Sequence, residues 1–451
     1  MSVLHTVLSL IVTLGILVTV HEYGHFWVAR RCGVKVLRFS VGFGKPLFSW
    51  RDKQDTEYAI AWIPLGGYVS MLDEREAPVD SRDLHRAFNR QSVWKRIAIV
   101  AAGPLANFLL AIVTYWVLFA SGTTVLAPVI GSVEENSAAE RAGLPSQYEI
   151  ISVDSEPVRS WQEVGLAMLA RVGDTGEVTL GLQEWQGYRQ EEVRIPIERW
   201  LTGEQEPNPL SDLGVTPYRP AIPAVIGRVI EGGAAQAAGL QVGDRILSAN
   251  GEAVKDWPHW VQLVQGAADN KLELNLERDG SQQQLVLIPK SRTQGDGRVI
   301  GYIGAAAQPG EWPEGMVRSI NYGIIESVGQ ATVKTWDMIG LTLDSIRKMI
   351  VGLISVDNLS GPITIAKVAS DSAKSGLESF LMFLAYISIS LGVLNLLPIP
   401  ILDGGHLLFY LVEAVTGRAV PEKAQQFGLR IGMVLLGSLM LIAFYNDLMR
   451  L

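Results

Sequence analysis

The stretch VLHTVLSLIVTLGILVTVHEYGHFWVA, residues 3–29, decides the architecture. Residues 3–20 are almost uninterrupted apolar sequence, and the run resumes at Phe26, Trp27, Val28 and Ala29. An α-helix needs about 20 apolar residues to cross a hydrocarbon core of roughly 30 Å, so this is a candidate membrane span. A cleaved signal peptide would carry a basic leader and small residues at a cleavage site; here no Lys or Arg precedes the run, and His21, Glu22 and His25 follow it. The reading is a retained anchor. Ionisable groups at the end of such a span are costly, and at that depth they mark function.

Outward from this segment, three more apolar runs emerge: residues 97–120, with no charge, 380–397 and 431–445. The last is short unless Phe427 to Leu429 join it and Arg430 snorkels. Arg30, Arg31, Lys35, Arg38 and Lys45 crowd the loop after the first span, which places that loop inside and residues 121–376 outside. The chain of 451 residues carries 38 Lys+Arg against 46 Asp+Glu, a net charge of −8, with 48% apolar and 19% charged residues. That balance excludes disorder and a general nucleic-acid binder. The one cysteine, Cys32, excludes an intrachain disulfide and a thiolate zinc cluster, so any zinc is held by His and carboxylates.

The outer segment contains a repeat. Gly131, Val133, Glu135, Ala138, Ala139, Ala142, Gly143 and Leu144 recur, 96 positions on, as Gly227, Val229, Glu231, Ala234, Ala235, Ala238, Gly239 and Leu240, and the register holds to Trp161 and Trp257. These are two copies of one small, mostly β module with one or two helices. The run from Ala238 to Ile246, followed by Asn250-Gly251, resembles the circularly permuted PDZ domain of bacterial proteases. That resemblance implies peptide or protein ligands bound as an added strand. The first copy departs from it, with Gln147 and Tyr148 where the second has Gly243 and Asp244. After the repeat, Ile325, Val328, Trp336, Ile339, Leu343, Ile346, Ile350 and Leu353 recur at helical spacing, which suits a helix on the membrane surface or one packed on a domain.

The chemistry sits at two places. His21-Glu22-Tyr23-Gly24-His25 puts two imidazoles one helical turn apart on one face, where both reach one zinc ion, and leaves Glu22 beside it as a base. A third protein ligand is required. Val28 and Arg31 exclude a histidine three or six residues on, and no Asp or Glu occurs between His25 and Asp52. At the end of the third apolar run, Asp403 is the carboxylate at matching depth.

The two motifs resemble those of site-2 proteases, the intramembrane zinc metalloproteases: His21-Glu22-x-x-His25, and Asn395-x-x-Pro398-x-Pro400-x-Leu402-Asp403-Gly404. Gly103-Pro104-Leu105-Ala106-Asn107 and Asn358-Leu359-Ser360-Gly361-Pro362 extend the likeness along nearly the whole chain, toward bacterial members with a PDZ tandem. The resemblance implies an α-helical membrane protein with about four transmembrane helices, a membrane-associated β-hairpin and two inserted α+β PDZ-like domains. It implies bounds of 1–120 for the first two spans and hairpin, 121–220 and 221–309 for the PDZ-like domains, 310–376 for amphipathic linker helices and 377–451 for the last two spans. By position, His21, His25 and Asp403 are expected to bind Zn2+, Glu22 to act as base, and Asn395 to position substrate. The hairpin, read over Val36 to Ser49 and Glu57 to Met71 with Gly42, Gly44, Gly66 and Gly67, is expected to offer a strand edge to it, with Gly42 and Gly44 in contact with substrate. Substrates would be single-span membrane proteins such as an anti-sigma factor, cut in a bacterial inner membrane with the active site toward the cytoplasm and the PDZ tandem in the periplasm, gating entry. Asn107, an amide in an apolar span, fits either interhelical glue or a substrate contact, and His406 is expected to bond to nearby backbone rather than zinc. A scaffold without hydrolytic activity and an intramembrane metal transporter are the rival classes; intact Glu22 and the paired modules weigh against them.

Overall fold

The computed structural model describes residues 3–204, 207–294 and 297–450, so the expected chain bounds at 1 and 451 lie outside the described residues. Seven long helices and two long strands frame the site. The helices are α1 (Val3–Arg31), α2 (Val93–Ser121), α3 (Ile324–Ile350), α4 (Pro362–Ser375), α5 (Leu377–Leu396), α6 (Asp403–Thr416) and α7 (Glu422–Met449); the strands are β1 (Val36–Arg51) and β2 (Glu57–Met71). Among the described residues, α1, α2, α5 and α7 are long and apolar enough to cross a membrane. In hydrocarbon each backbone polar group must be satisfied within the segment, which only a helix does for a lone chain. The fourth helix runs well past residues 431–445, and its Arg430 is exposed.

Small residues set how closely these helices approach. At the crossing of α1 and α2, a Cβ on Gly24 would strike the Ala102 carbonyl and lie 2.8 Å from Ala106 Cβ. Ala111, Tyr115 and Leu118 of α2, Ala385, Ile389 and Val393 of α5, and Ala331 and Met338 of α3 then form one buried cluster. Helix α3 turns Ser327, Ala331, Thr335 and Met338 inward, with Ile339 and Ile346 of its apolar stripe packed against the cluster. Ile325, Val328, Trp336, Leu343 and Ile350 of that stripe are exposed, which suits the membrane-surface alternative of the two its spacing left open. Small side chains permit close helix contact.

Strands β1 and β2 form more than a simple hairpin. Residues 38–41 find partners on both sides, Val41 facing both Gly67 and Ile60, while the other half of β1 pairs back on the start of β2. Positive φ angles at Gly42 (+93°) and Gly44 (+91°) redirect β1 and allow the fold-over. Phe48, Trp50, Trp62 and Ile63 of this sheet are exposed.

The repeated modules share one topology. Tyr148–Val153, Glu156–Pro157, Gly176–Glu184 and Gln190–Ile197 form a four-stranded sheet in the same spatial order as Arg245–Ala249, Glu252–Ala253, Leu272–Arg278 and Ser281–Leu287. Each adds a ribbon, Ile130–Val133 with Val215–Pro217 in the first and Ile226–Val229 with Ala305–Ala307 in the second, and each has its own apolar core. Where the second module has Gly243 at φ +93°, the first has Gln147 at +60°, a left-handed residue without glycine's freedom.

Candidate metal centre

His21 and His25 lie in the buried part of α1 with their Nε2 atoms 3.2 Å apart. Asp403 opens α6 after a tight reversal that follows α5. Pro398 cannot continue α5, Leu402 N donates to Ile399 O at 2.8 Å, and a Cβ on Gly404 or Gly405 would collide with the carbonyls of Leu396, Leu397 or Ile399. Glycine at both positions is what brings the start of α6 back over the end of α5. Asp403 Oδ2 thereby stands 3.2 Å from His21 Nε2 and 3.5 Å from His25 Nε2.

With each imidazole's proton on Nδ1, the three atoms present lone pairs to one point, an arrangement that a cation among them would relieve. Ligands of a tetrahedral zinc with bonds of about 2.0–2.1 Å lie roughly 3.3 Å apart, which matches the observed triangle. Oδ2 of Asp403 is buried and receives no hydrogen bond, as a metal-facing oxygen should. His21, His25 and Asp403 are the one group among the described residues able to converge on a metal. The donor set of two imidazoles and a carboxylate fits zinc.

Helix α2 braces both rings from behind. His25 Nδ1 lies 2.8 Å from the Ile99 carbonyl, and His21 Nδ1 lies 3.1 Å from the Asn107 amide. A Cβ on Gly103 would run into His25 Nε2 and lie 2.9 Å from His21 Cε1, so only glycine lets both rings pack against α2. Glu22 projects beside His21, His25 and Asp403. Gly67 packs there too: a Cβ on it would be 3.2 Å from Glu22 Cγ.

The structure thus brings His21, Glu22, His25 and Asp403 together. Asn395 lies near the end of α5, half-buried, with its amide making no hydrogen bond among the described residues. Gly42 and Gly44 sit at the fold-over of β1, while residues 67–71 form the segment beside Glu22. His406 departs from expectation. Its ring bonds to no backbone group and meets Phe409 edge-on at 6.4 Å, outside the metal triangle. Asn107, which the sequence left between two roles, stands directly behind His21; its place four residues after Gly103, one turn along the same face, was the available signal.

Apolar helices surrounding a histidine–histidine–aspartate triangle with a free carboxylate at its side define a membrane-embedded metallohydrolase. Comparison with known proteins agrees: Peptidase family M50 matches residues 9–439. The chain belongs to that family and is a zinc metallopeptidase. It is 44% identical over 451 residues, all of both chains, to the Escherichia coli (strain K12) regulator of sigma-E protease RseP. A Vibrio cholerae protein provisionally named a zinc metalloprotease matches at 44% over all of both chains, and a Haemophilus influenzae regulator of sigma E protease at 38% over the same extent.

Proposed function

We propose that this chain hydrolyses peptide bonds within membrane-spanning segments of single-span proteins, with an anti-sigma factor as the natural substrate, in a bacterial inner membrane. The observation that carries the reading is the triangle of His21 Nε2, His25 Nε2 and Asp403 Oδ2 with Glu22 beside it, all on apolar helices. His21, His25 and Asp403 hold Zn2+, which when bound supplies Lewis-acid activation of water and of the scissile carbonyl. The Glu22 carboxylate takes a proton from the water as its oxygen adds to the scissile carbonyl carbon, then returns that proton to the amide nitrogen, so the C–O bond forms first and the C–N bond breaks as the amine departs. The unpaired Asn395 amide and the backbone of residues 67–71 offer partners to an unwound substrate strand, whose own helical hydrogen bonds must open before its carbonyl is accessible. The repeated modules, read as PDZ-like domains over residues 121–220 and 221–309, lie on the periplasmic side and screen substrates by size, while residues 310–376 link them to the last two spans.

The test uses Glu22→Gln, which keeps size and helix propensity but removes the base. Zinc content should stay at the wild-type level while cleavage of a single-span substrate in detergent falls at least about 10²-fold. Near-normal cleavage by the zinc-loaded variant overturns the role of Glu22, and zinc retained by Asp403→Ala overturns the ligand set. For sidedness, Cys32 is the sole thiol, and its labelling by an impermeant maleimide in cells with a sealed inner membrane would reverse the orientation.

A further inference from the structure

The backing of the two imidazoles by α2 is chemically unequal. Behind His25 stands a carbonyl, the Ile99 oxygen at 2.8 Å, which only accepts. His25 therefore carries its proton on Nδ1 and keeps the Nε2 lone pair for the centre of the triangle. His21 needs the same tautomer for its Nε2 to face a metal. Yet the atom drawn opposite its Nδ1, at 3.1 Å, is the Asn107 nitrogen Nδ2, while Asn107 Oδ1 is buried without a hydrogen-bond partner.

Asn107 is 0% exposed, and its two amide atoms are near-isosteric, distinguished only by the bonds they make. A half-turn of the amide places Oδ1 opposite His21 Nδ1–H and gives the orphaned acceptor a donor. In the drawn orientation Nδ2 donates to Nδ1, which drives the His21 proton to Nε2, into the faces of His25 Nε2 and Asp403 Oδ2. The backbone at this position is held from a third helix, because Ser388 Oγ on α5 donates to the Asn107 carbonyl at 2.8 Å.

We propose that Asn107 is a positioning residue of the metal centre: its Oδ1 accepts from His21 Nδ1–H, fixing the tautomer and the aim of that ring. This rests on the reading that His21, His25 and Asp403 hold zinc. It assigns the amide to neither interhelical glue nor substrate.

The experiment measures zinc affinity of the full-length protein in detergent by competition with a chelator, and records the visible spectrum of the cobalt-substituted protein. Asn107→Leu, similar in size but without an acceptor, should bind zinc about 10–100-fold more weakly, the usual cost of losing such a partner. Asn107→Asp, which keeps an acceptor oxygen, should bind zinc at least as well as the wild type and restore its cobalt spectrum. Ser388→Ala disturbs the same contact between helices without touching the amide and should leave affinity within about twofold, well short of that loss. Wild-type affinity in Asn107→Leu overturns the proposal. So does equal loss in the folded Asp and Leu variants, or a loss in Ser388→Ala as large as that in Asn107→Leu, since each would indicate packing alone. If Asn107→Leu fails to fold, Asn107→Ala replaces it under the same criteria. Asp403→Ala in the same assay separates the two readings: zinc retained there defeats the ligand set, whereas zinc lost there but kept in Asn107→Leu defeats only the role of Asn107.

Discussion

In the second module Asp244 is fully buried, and Arg278 of the same sheet answers it with two hydrogen bonds of 2.7 Å. In the first module Tyr148 fills that place, and the acid one residue on, Glu149, is answered by Arg318 at 2.6 and 2.7 Å, from a segment that follows both modules. The same contrast recurs along the first module. Lys348 of α3 is buried with its ammonium 2.5 Å from the Ala170 carbonyl and 3.0 Å from Asp344; Ile354 packs on the module's core; Asn358 donates to the Glu204 carbonyl at 2.9 Å; Arg159 reaches the Tyr322 hydroxyl at 2.8 Å. In the second module Asn275 donates to Ser248 and Lys290 to the Gly232 carbonyl, both partners lying within the module itself. One fold thus serves as a fixture bolted to the helices in one copy and as a self-contained body in the other.

That contrast breaks most sharply at Asp244. Arg278→Ala leaves a buried carboxylate unpaired and should cost the second module about 3 kcal/mol or more, read as a lower unfolding transition and faster proteolysis within residues 221–309, with the first module unchanged. Equal loosening of both modules would show that they are one cooperative unit.

Lys348→Met should act in the opposite place. An apolar chain of similar length keeps the packing but removes the ammonium from the Ala170 carbonyl, a change worth about 1–3 kcal/mol of docking. Amide exchange should rise around Ala170 and at residues 351–358 while the module's own sheet stays protected. No rise there would mean that Lys348 does not hold the module.

Arg318→Ala should cost less than Arg278→Ala, about 1–2 kcal/mol, because Glu149 is buried but the guanidinium is more than a third exposed, so solvent already screens the pair. The readout is exchange in Val317–Ile320 and its partner strand Thr123–Leu126.

Acid gives the mildest test. Burial pushes the Asp244 carboxyl up, but Arg278 and the Gln241 amide overcome it and hold the group below its usual 3.8. A depressed value in the fold means that the stability it confers is complete above about pH 4–5 and drains away as pH falls through the folded value. The second module should therefore lose stability below about pH 4, and Asp244→Asn should flatten that slope.

Much of the centre was legible because metal chemistry restricts residue types and spacings. His21, His25 and Glu22 declare themselves at helical spacing, and Asp403 is singled out by depth and by the lack of an acid between His25 and Asp52. The repeat was legible for the same reason, since one register holds across it. Helix α6 was hidden because Asp403-Gly404-Gly405 reads as a turn, whereas the glycines clear the carbonyls of a reversing chain at a helix start. The α3 stripe left two placements open because burial on a domain and exposure to an apolar medium leave the same mark on a sequence, and the exposed Trp336, Leu343 and Ile350 suit the second. The fold-over of β1 depends on partners chosen across the loop, and Lys348 looks like any cation on a polar helix face until Ala170 is placed beside it.

The triangle joins residues near opposite ends of the chain, and protein synthesis reads such a chain in one direction. At about 5–20 residues per second, tens of seconds pass between delivery of His25 and delivery of Asp403, and both repeated modules are made in that interval. Throughout it, the nascent chain holds two imidazoles and the Glu22 carboxylate but not Asp403. On the proposed ligand set, the newborn molecule cannot cut its neighbours until both modules have been synthesised.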